Sequence, residues 1–363
     1  MNTRFLKWLL TATFLFCMIF VAANVAAKKP VKPPPDPVVE PNHAFAINGY
    51  EKGLDIYAVD VDGGNPVRIV RRASGFPGSA GATVWSPDGT RIVWSDVSYR
   101  NLQMVNVDGS NRQEILAPTE EMWPYIGGQR NLAPSGFGCD IDGDGFGEPA
   151  NILYFLGLMI TNPLNPLEDA NEEFFVLDLD DLSVPPIRLT HDTDDELVRH
   201  STLEVSPDGQ FIATWTYTSG ENWDAVDAQL EIRDACQAGL PVIASWTAYE
   251  LGQLPGYQFF ARIDWSSTNI LAVSGHNHDV ANEIYLIDLD GLVTADKFIG
   301  TGMDFGEGVN NRRATWSPDG TQLAFTSDHD VYVYDFFSDA FTQIASFKLN
   351  RDIDWRPTWE ENP

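Results

Sequence analysis

Two groups of side chains in this sequence have the types and spacing to do chemistry. The first is an acidic run in which Asp140, Asp142 and Asp144 alternate with Ile141, Gly143 and Gly145, followed by Phe146 and Glu148. Oxygen ligands at alternating positions, wrapped tightly by glycines, suit a hard cation such as Ca2+. The expected ligands are the carboxylates of Asp140, Asp142 and Asp144, the Phe146 carbonyl and Glu148, and the expected role is structural. An EF-hand would need a glutamate at the twelfth position of its loop. Asn151 stands there, and no helical periodicity flanks the run. The plainer reading is an acidic Asp-Gly turn that needs no metal.

The second group is His191, His200, His276, His278 and His329, five of the six histidines. Trp123, Trp223 and the cations Arg262, Arg312 and Arg313 belong with them. Histidines and carboxylates gathered within a few ångströms could hold a catalytic metal, but only if the fold makes them converge. Indole rings beside acids on loops suit recognition instead. The three arginines could hold an anionic ligand or neutralise nearby carboxylates. Cys139 and Cys236 carry no nucleophile motif, and a disulfide between them is one possibility.

The elements that position these residues follow from a repeat. Trp85-Ser86-Pro87-Asp88-Gly89-Thr90 recurs as Trp316-Ser317-Pro318-Asp319-Gly320-Thr321, and Val205-Ser206-Pro207-Asp208-Gly209-Gln210 is a third copy. Trp265-Ser266-Ser267-Thr268-Asn269 is a degraded fourth, and Trp355-Arg356-Pro357 a truncated one. Proline presets φ at the second position of a tight turn, aspartate bonds nearby backbone, and glycine accepts positive φ. Each copy therefore reads as a hairpin turn between two strands. Runs such as DIYAVDVDGG from Asp55 and EIYLIDLDG from Glu283 supply a third strand, and tails such as Val67–Val70 and Phe341–Ile344 a fourth. Repeated four-stranded units that bury both faces only against their neighbours are propeller blades. Turns near 87, 142, 207, 267, 318 and 357 count six of them. The last turn has no blade after it, so Asp352–Trp355 should pair with the strand at His43–Ala46 and close the ring.

Propeller topology puts the S-P-D-G turns on one face. The second-to-third strand loops and the connections between blades lie on the other. His191 and His200, around the acidic run 192–196, fall between blades 3 and 4. Trp223, His276, His278 and His329 fall in second-to-third strand loops, Trp123 and Arg312-Arg313 between blades. The acidic run 140–148 takes the place of an S-P-D-G turn in blade 3.

The W-S-P-D-G-x-x-I/L-A/V-F/W pattern, with I-Y-x-V/I-D-x-D-G, resembles the TolB-type, WD40-like (PD40) repeats over about residues 43–358. The acidic loop is similar to the calcium loops of FG-GAP propeller repeats. These motifs are specific for fold and weak for function, since they consist of turn and core residues. The resemblance also brings relatives with further domains. TolB has an α/β domain before its propeller, which residues 28–42 are too few to form. Prolyl oligopeptidases carry a hydrolase domain with G-x-S-x-G, a motif this sequence lacks. Some PD40 propeller lyases use a histidine-based metal site.

The chain of 363 residues has a formal charge of −29, which disfavours nucleic acid and anionic lipid. Residues 1–27 read as an export signal: Arg4 and Lys7, an apolar run from Trp8 to Ala23, then small residues up to Ala27. Losing those two bases takes the charge from −29 to −31. The run is also long enough to be an uncleaved anchor. Residues 28–42, KKPVKPPPDPVVEPN, read as a stiff proline-rich linker, and 43–360 as the propeller. The expectation is a monomeric, periplasmic or extracellular, non-catalytic scaffold that binds an envelope protein, peptide or glycan. The alternative is a metal-assisted carbohydrate lyase or hydrolase.

Overall fold

The structure is a computed structural model. It describes residues 43–50, 54–71, 80–96, 100–124, 132–139, 146–160, 171–191, 198–219, 225–247, 250–251, 257–277, 280–290, 295–297, 311–327, 330–346 and 350–357. Among the described residues there is no helix, and the strands form six antiparallel sheets. Blade 1 takes its strands in the order Asn350–Trp355, His43–Tyr50, Leu54–Asp60 and Val67–Val70. Blade 2 is Ala80–Trp85, Arg91–Asp96, Asn101–Asn106 and Gln113–Leu116. Blade 3 is Leu132–Cys139, Phe146–Met159, Asn171–Asp178 and Ile187–Arg188, with a short extra strand, Met122–Pro124, on the far end of its second strand. Blade 4 is Val198–Val205, Phe211–Ser219, Ala225–Asp234 and Val242–Thr247. Blade 5 is Tyr257–Trp265, Ile270–Asn277, Val280–Asp288 and Ala295–Lys297. Blade 6 is Asn311–Trp316, Gln322–Ser327, Asp330–Asp335 and Ala340–Ser346.

The ring closes where the spacing predicts. Phe45 pairs with Trp355, Ala46 with Asp354, Ile47 with Ile353 and Asn48 with Asp352. The first strand of every blade packs on the first strand of the next, all the way round. Six apolar clusters accompany this, one at each blade boundary. Ala46, Ile56 and Ile69 of blade 1 meet Trp85, Ile92 and Trp94 of blade 2, for example. Val331, Val333 and Ile344 of blade 6 meet Phe45, Ile47 and Ile353 across the closing seam. Strand alternation sends half of each blade's side chains to either face, and stacking buries both. Trp85, Trp94 and Trp215 are fully buried in this way.

The turn chemistry explains why the motif recurs. In each intact copy the glycine N–H donates to the serine carbonyl at 2.8 Å: Gly89 to Ser86, Gly209 to Ser206, Gly320 to Ser317. Those glycines have φ of 63°, 73° and 69°, and in the degraded copy Asn269 takes the same conformation at 62°. Asparagine tolerates this region better than most residues. The serine hydroxyl accepts the N–H that restarts the second strand, from Arg91, Phe211, Ile270 or Gln322, at 2.9 Å each. Asp88 and Asp319 each accept from the serine hydroxyl and from both the N–H and hydroxyl of the following threonine.

Polar contacts fasten blade to blade as well. Asp264 of blade 5 accepts the Trp316 N–H of blade 6 at 2.6 Å, and Thr315 of blade 6 accepts the Trp355 N–H of blade 1 at 3.3 Å. Asp354 of blade 1 accepts the Trp85 N–H of blade 2 at 2.8 Å. Asn151, where an EF-hand would need its last ligand, has a structural use. It donates to Asp88 at 3.1 Å and to Asp180 at 2.8 Å, and accepts the Asp88 N–H at 3.0 Å. Arg91 completes this lock between blades 2 and 3 by donating to Asp180 at 2.6 Å.

Candidate ligand-binding site

In five blades the residue just before the turn and those that enter it stand at equivalent rungs, and in blade 3 residues 134–137, inside the strand Leu132–Cys139, take the same place. On the turn face these rungs surround the propeller axis and leave a cavity of about 360 Å³. Its mouth carries Pro87, Phe137, Pro207, Ser267, Pro318 and Pro357, one from each blade. Phe137 stands where the other blades have proline or serine. The Cβ of Phe137 and the backbone beside it lie against Gly209, as Pro357 lies against Gly89 and Ser267 against Gly320. The wall below the mouth is made by Trp265, Trp316 and Trp355 together with Glu204, Asp264, Thr315, Asp354 and Pro134.

The lining is unequal round the ring. Blades 4, 5 and 1 each place a buried carboxylate there, Glu204, Asp264 and Asp354, with Thr315 of blade 6 between the last two. Blades 2 and 3 contribute only Pro87, Pro134, Ser135, Gly136 and Phe137, and the Phe137 side chain is exposed at 42%. Arg262 lies two residues further from the mouth than Asp264 and is 2% exposed. Its guanidinium passes blade 6 to donate to the Ile353 carbonyl of blade 1, and stands 3.6 Å from the Asp354 carboxylate. Three buried carboxylates and one buried guanidinium thus stand close to this end of the axis. Of the two roles the sequence allows Arg262, anion binding or neutralising nearby carboxylates, these contacts with backbone and acid match the second.

The other residues singled out from the sequence are spread more widely. His200 sits inside the first strand of blade 4, 1% exposed, rather than in the connection before it. Its ring meets Phe174 edge-on at 4.7 Å, with Nδ1 3.5 Å from the Thr214 hydroxyl, and the His200 backbone N–H donates to Glu172 at 2.5 Å. His191 is exposed and its Nδ1 meets the Thr190 carbonyl. Trp123 lies in the extra strand of blade 3, paired with Leu158, and the Arg100 guanidinium lies 3.8 Å from its ring centre. Arg313 has φ of 59°, and its N–H donates to the Ser274 hydroxyl of blade 5 at 3.1 Å. His276, Arg312, Phe146 and Glu148 are placed in strands by their backbone. Trp223, His278, His329, Asp140, Asp142 and Asp144 lie outside the described residues. Cys139 and Phe146 pair, so the acidic run 140–145 does connect the first and second strands of blade 3.

Among the described residues, no three His, Cys, Asp or Glu side chains are placed to hold a metal ion. The sequence reading missed the axial carboxylates and a buried pair, Glu172 and Glu173. Glu173 is fully buried, accepting from Arg188 at 2.6 Å and from the Thr190 hydroxyl. The available signal was an acid at the rung before Trp265 and Trp355, on strands expected to be buried on both faces. Cys236 is disulfide-bonded.

No protein-family model matches this sequence, and comparison with curated proteins finds no match. Solved structures do resemble it. A chain of a nidogen/laminin complex is 10% identical with a TM-score of 0.54, covering 86% of this chain and 98% of that one. A prolyl endopeptidase, from a study of two such enzymes, is 10% identical with a TM-score of 0.52. That match covers 88% of this chain and 50% of the endopeptidase. At such identities the likeness is one of fold.

Proposed function

We propose that this protein is an exported, non-catalytic propeller of the TolB type that binds a protein, peptide or glycan of the cell envelope. The observation that carries this reading is the axial cavity. Six blades contribute equivalent rungs to one concave site, with apolar walls and a few convergent polar groups, the general character of a binding pocket. Rigid strands and hydrogen-bonded turns hold those groups in place before any ligand arrives, which lowers the ordering cost of binding. Residues 1–27 act as the export signal in this reading and residues 28–42 as the tether. Ca2+ held by Asp140, Asp142, Asp144, the Phe146 carbonyl and Glu148 stiffens blade 3, where the usual turn is replaced.

The test is capture of envelope components by the tagged protein in an oxidising, calcium-containing buffer, followed by binding measurements with each purified candidate. Saturable binding of a defined component supports the scaffold. Turnover of a glycan or peptide that is lost in His276→Ala would overturn it in favour of a metal-assisted enzyme on the opposite face.

A further inference from the structure

We propose that a disulfide between Cys236 and Cys139 is a redox-sensitive latch that holds Phe137 at the mouth of the axial cavity. Cys236 is disulfide-bonded. The backbone leads to Cys139 as its partner, because both cysteines flank one turn of blade 4. The Gln210 carbonyl of that turn accepts the Ala235 N–H at 2.9 Å, one residue from Cys236. Gly209 beside it lies hard against Phe137, two residues from Cys139. A Cβ added to this glycine would stand 2.8 Å from the Phe137 Cβ and carbonyl oxygen. The bond therefore ties the first strand of blade 3 to the turn between the third and fourth strands of blade 4.

The two ends of the bond are held unequally. On the blade 4 side, Asp234 accepts the Cys236 N–H at 2.9 Å and the Gln237 side chain at 2.6 Å. The Leu240 N–H then donates to the Gln237 carbonyl at 3.0 Å and closes that turn. On the blade 3 side there is no S-P-D-G set to lock the strands together. Phe137 pairs with Pro149, which has no N–H to give, and register shifts stand on both sides of that pair. Opening the disulfide should therefore move residues 135–139 and leave the blade 4 turn in place. Phe137 is the part of the mouth that blade 3 supplies, so the same motion reshapes the cavity entrance. Cys236 is exposed, and exposed disulfides are the labile ones. A dithiol attacks one sulfur, the S–S bond breaks, and its second sulfur resolves the mixed disulfide. The protein gains two electrons and two protons as two thiols, and the dithiol is oxidised to a disulfide.

The latch goes beyond the binding reading and is tested without a ligand. The oxidised full chain is treated with dithiothreitol in native buffer, alkylated with iodoacetamide and mapped beside an untreated sample. The untreated map should join Cys236 to Cys139, and dithiothreitol should open the bond without urea. Hydrogen–deuterium exchange read by mass spectrometry should show amides 135–139 exchanging at least about tenfold faster in the reduced, alkylated protein. Peptides from residues 234–241 of blade 4 and 322–335 of blade 6 should keep their rates. Cys236→Ser should show the fast rates from the start and ignore dithiothreitol, with the circular dichroism of the wild type. If that variant does not fold, the reduced and alkylated wild type carries the same comparison. Another partner for Cys236, a bond that opens only in urea, unchanged exchange at 135–139, or equal acceleration in every blade would each overturn the proposal. So would a folded Cys236→Ser variant whose exchange at 135–139 still responds to dithiothreitol.

Discussion

Replacing Asp354 with alanine should loosen the propeller at the seam that closes it. One carboxylate oxygen accepts the Trp85 N–H at 2.8 Å, and the other stands 3.6 Å from the Arg262 guanidinium. Asp354 is 3% exposed and Arg262 2%, so solvent screens these contacts little. Alanine leaves the Trp85 amide buried without this acceptor, a loss of about 1–3 kcal/mol. It also removes a counter-charge from a buried guanidinium, and breaking a buried pair from one side costs about 3–5 kcal/mol. Both penalties come from one carboxylate and overlap, so the expected total is about 3–5 kcal/mol. Arg262→Met removes the stranded charge. In that background Asp354→Ala should cost only the amide penalty of about 1–3 kcal/mol, giving a coupling of about 2 kcal/mol. Urea unfolding of the wild type, both single variants and the double variant, followed by tryptophan fluorescence, measures this directly. An Asp354→Ala cost below about 1 kcal/mol, or a coupling below about 0.5 kcal/mol, would refute the reasoning.

Three further outcomes are expected. Hydrogen bonds from the Gln322 side chain and then from the Ser338 backbone and hydroxyl lower the Asp335 carboxyl from 3.8 to about 2. Because the folded value lies below the unfolded one, ionised Asp335 supports its turn fully above about pH 4 and loses that support as pH falls through about 2. A carboxyl carbon NMR titration should find its midpoint near 2, and a midpoint near 4 would deny these bonds. If the acidic loop binds calcium, the Asp142→Ala, Asp144→Ala variant should lose the thermal stabilisation that the wild type gains, about 2.7 kcal/mol when Ca2+ is a hundredfold above its Kd. Equal stabilisation in both proteins rules the loop out as the site. Non-reducing peptide mapping should join the Cys236 peptide to the Cys139 peptide. A bridge closing about a hundred residues contributes about 4–5 kcal/mol in the chain-entropy picture, so reduction should lower the urea midpoint clearly.

Turn chemistry is local, and that made most of the fold readable. The four residues of each S-P-D-G copy satisfy one another, so the motif announces a hairpin without knowledge of the rest of the chain. Copy spacing then counts the blades, and three strands before the first turn with one strand after the last blade imply the seam that Ile47 and Ile353 form. Blade 3 was harder. Met122–Pro124 is a three-residue strand, too short for alternation to show. Its longest strand, Phe146–Met159, contains register shifts that break the pattern again. The axial cavity was invisible for another reason. Glu204, Asp264 and Asp354 are far apart in sequence and look like ordinary strand acids until six equivalent rungs are stacked about one axis. His200 shows the opposite error: beside an acidic run it reads as a loop residue, but it is packed on Phe174 inside a strand.

The blade shared by both chain ends also has a kinetic side. Residues 43–50 emerge before the other blades and their partners 350–355 after them, with more than three hundred residues between Ile47 and Ile353. Contacts so remote in sequence form slowly, since the whole intervening chain must be gathered first. Until the last strand arrives, His43–Tyr50 presents an open edge to any strand of matching register. A second copy can offer that strand once its concentration approaches the effective concentration of the chain's own residues 350–355. Slow arrival at high concentration would therefore give strand-exchanged dimers, in which each ring is locked by its neighbour's final residues.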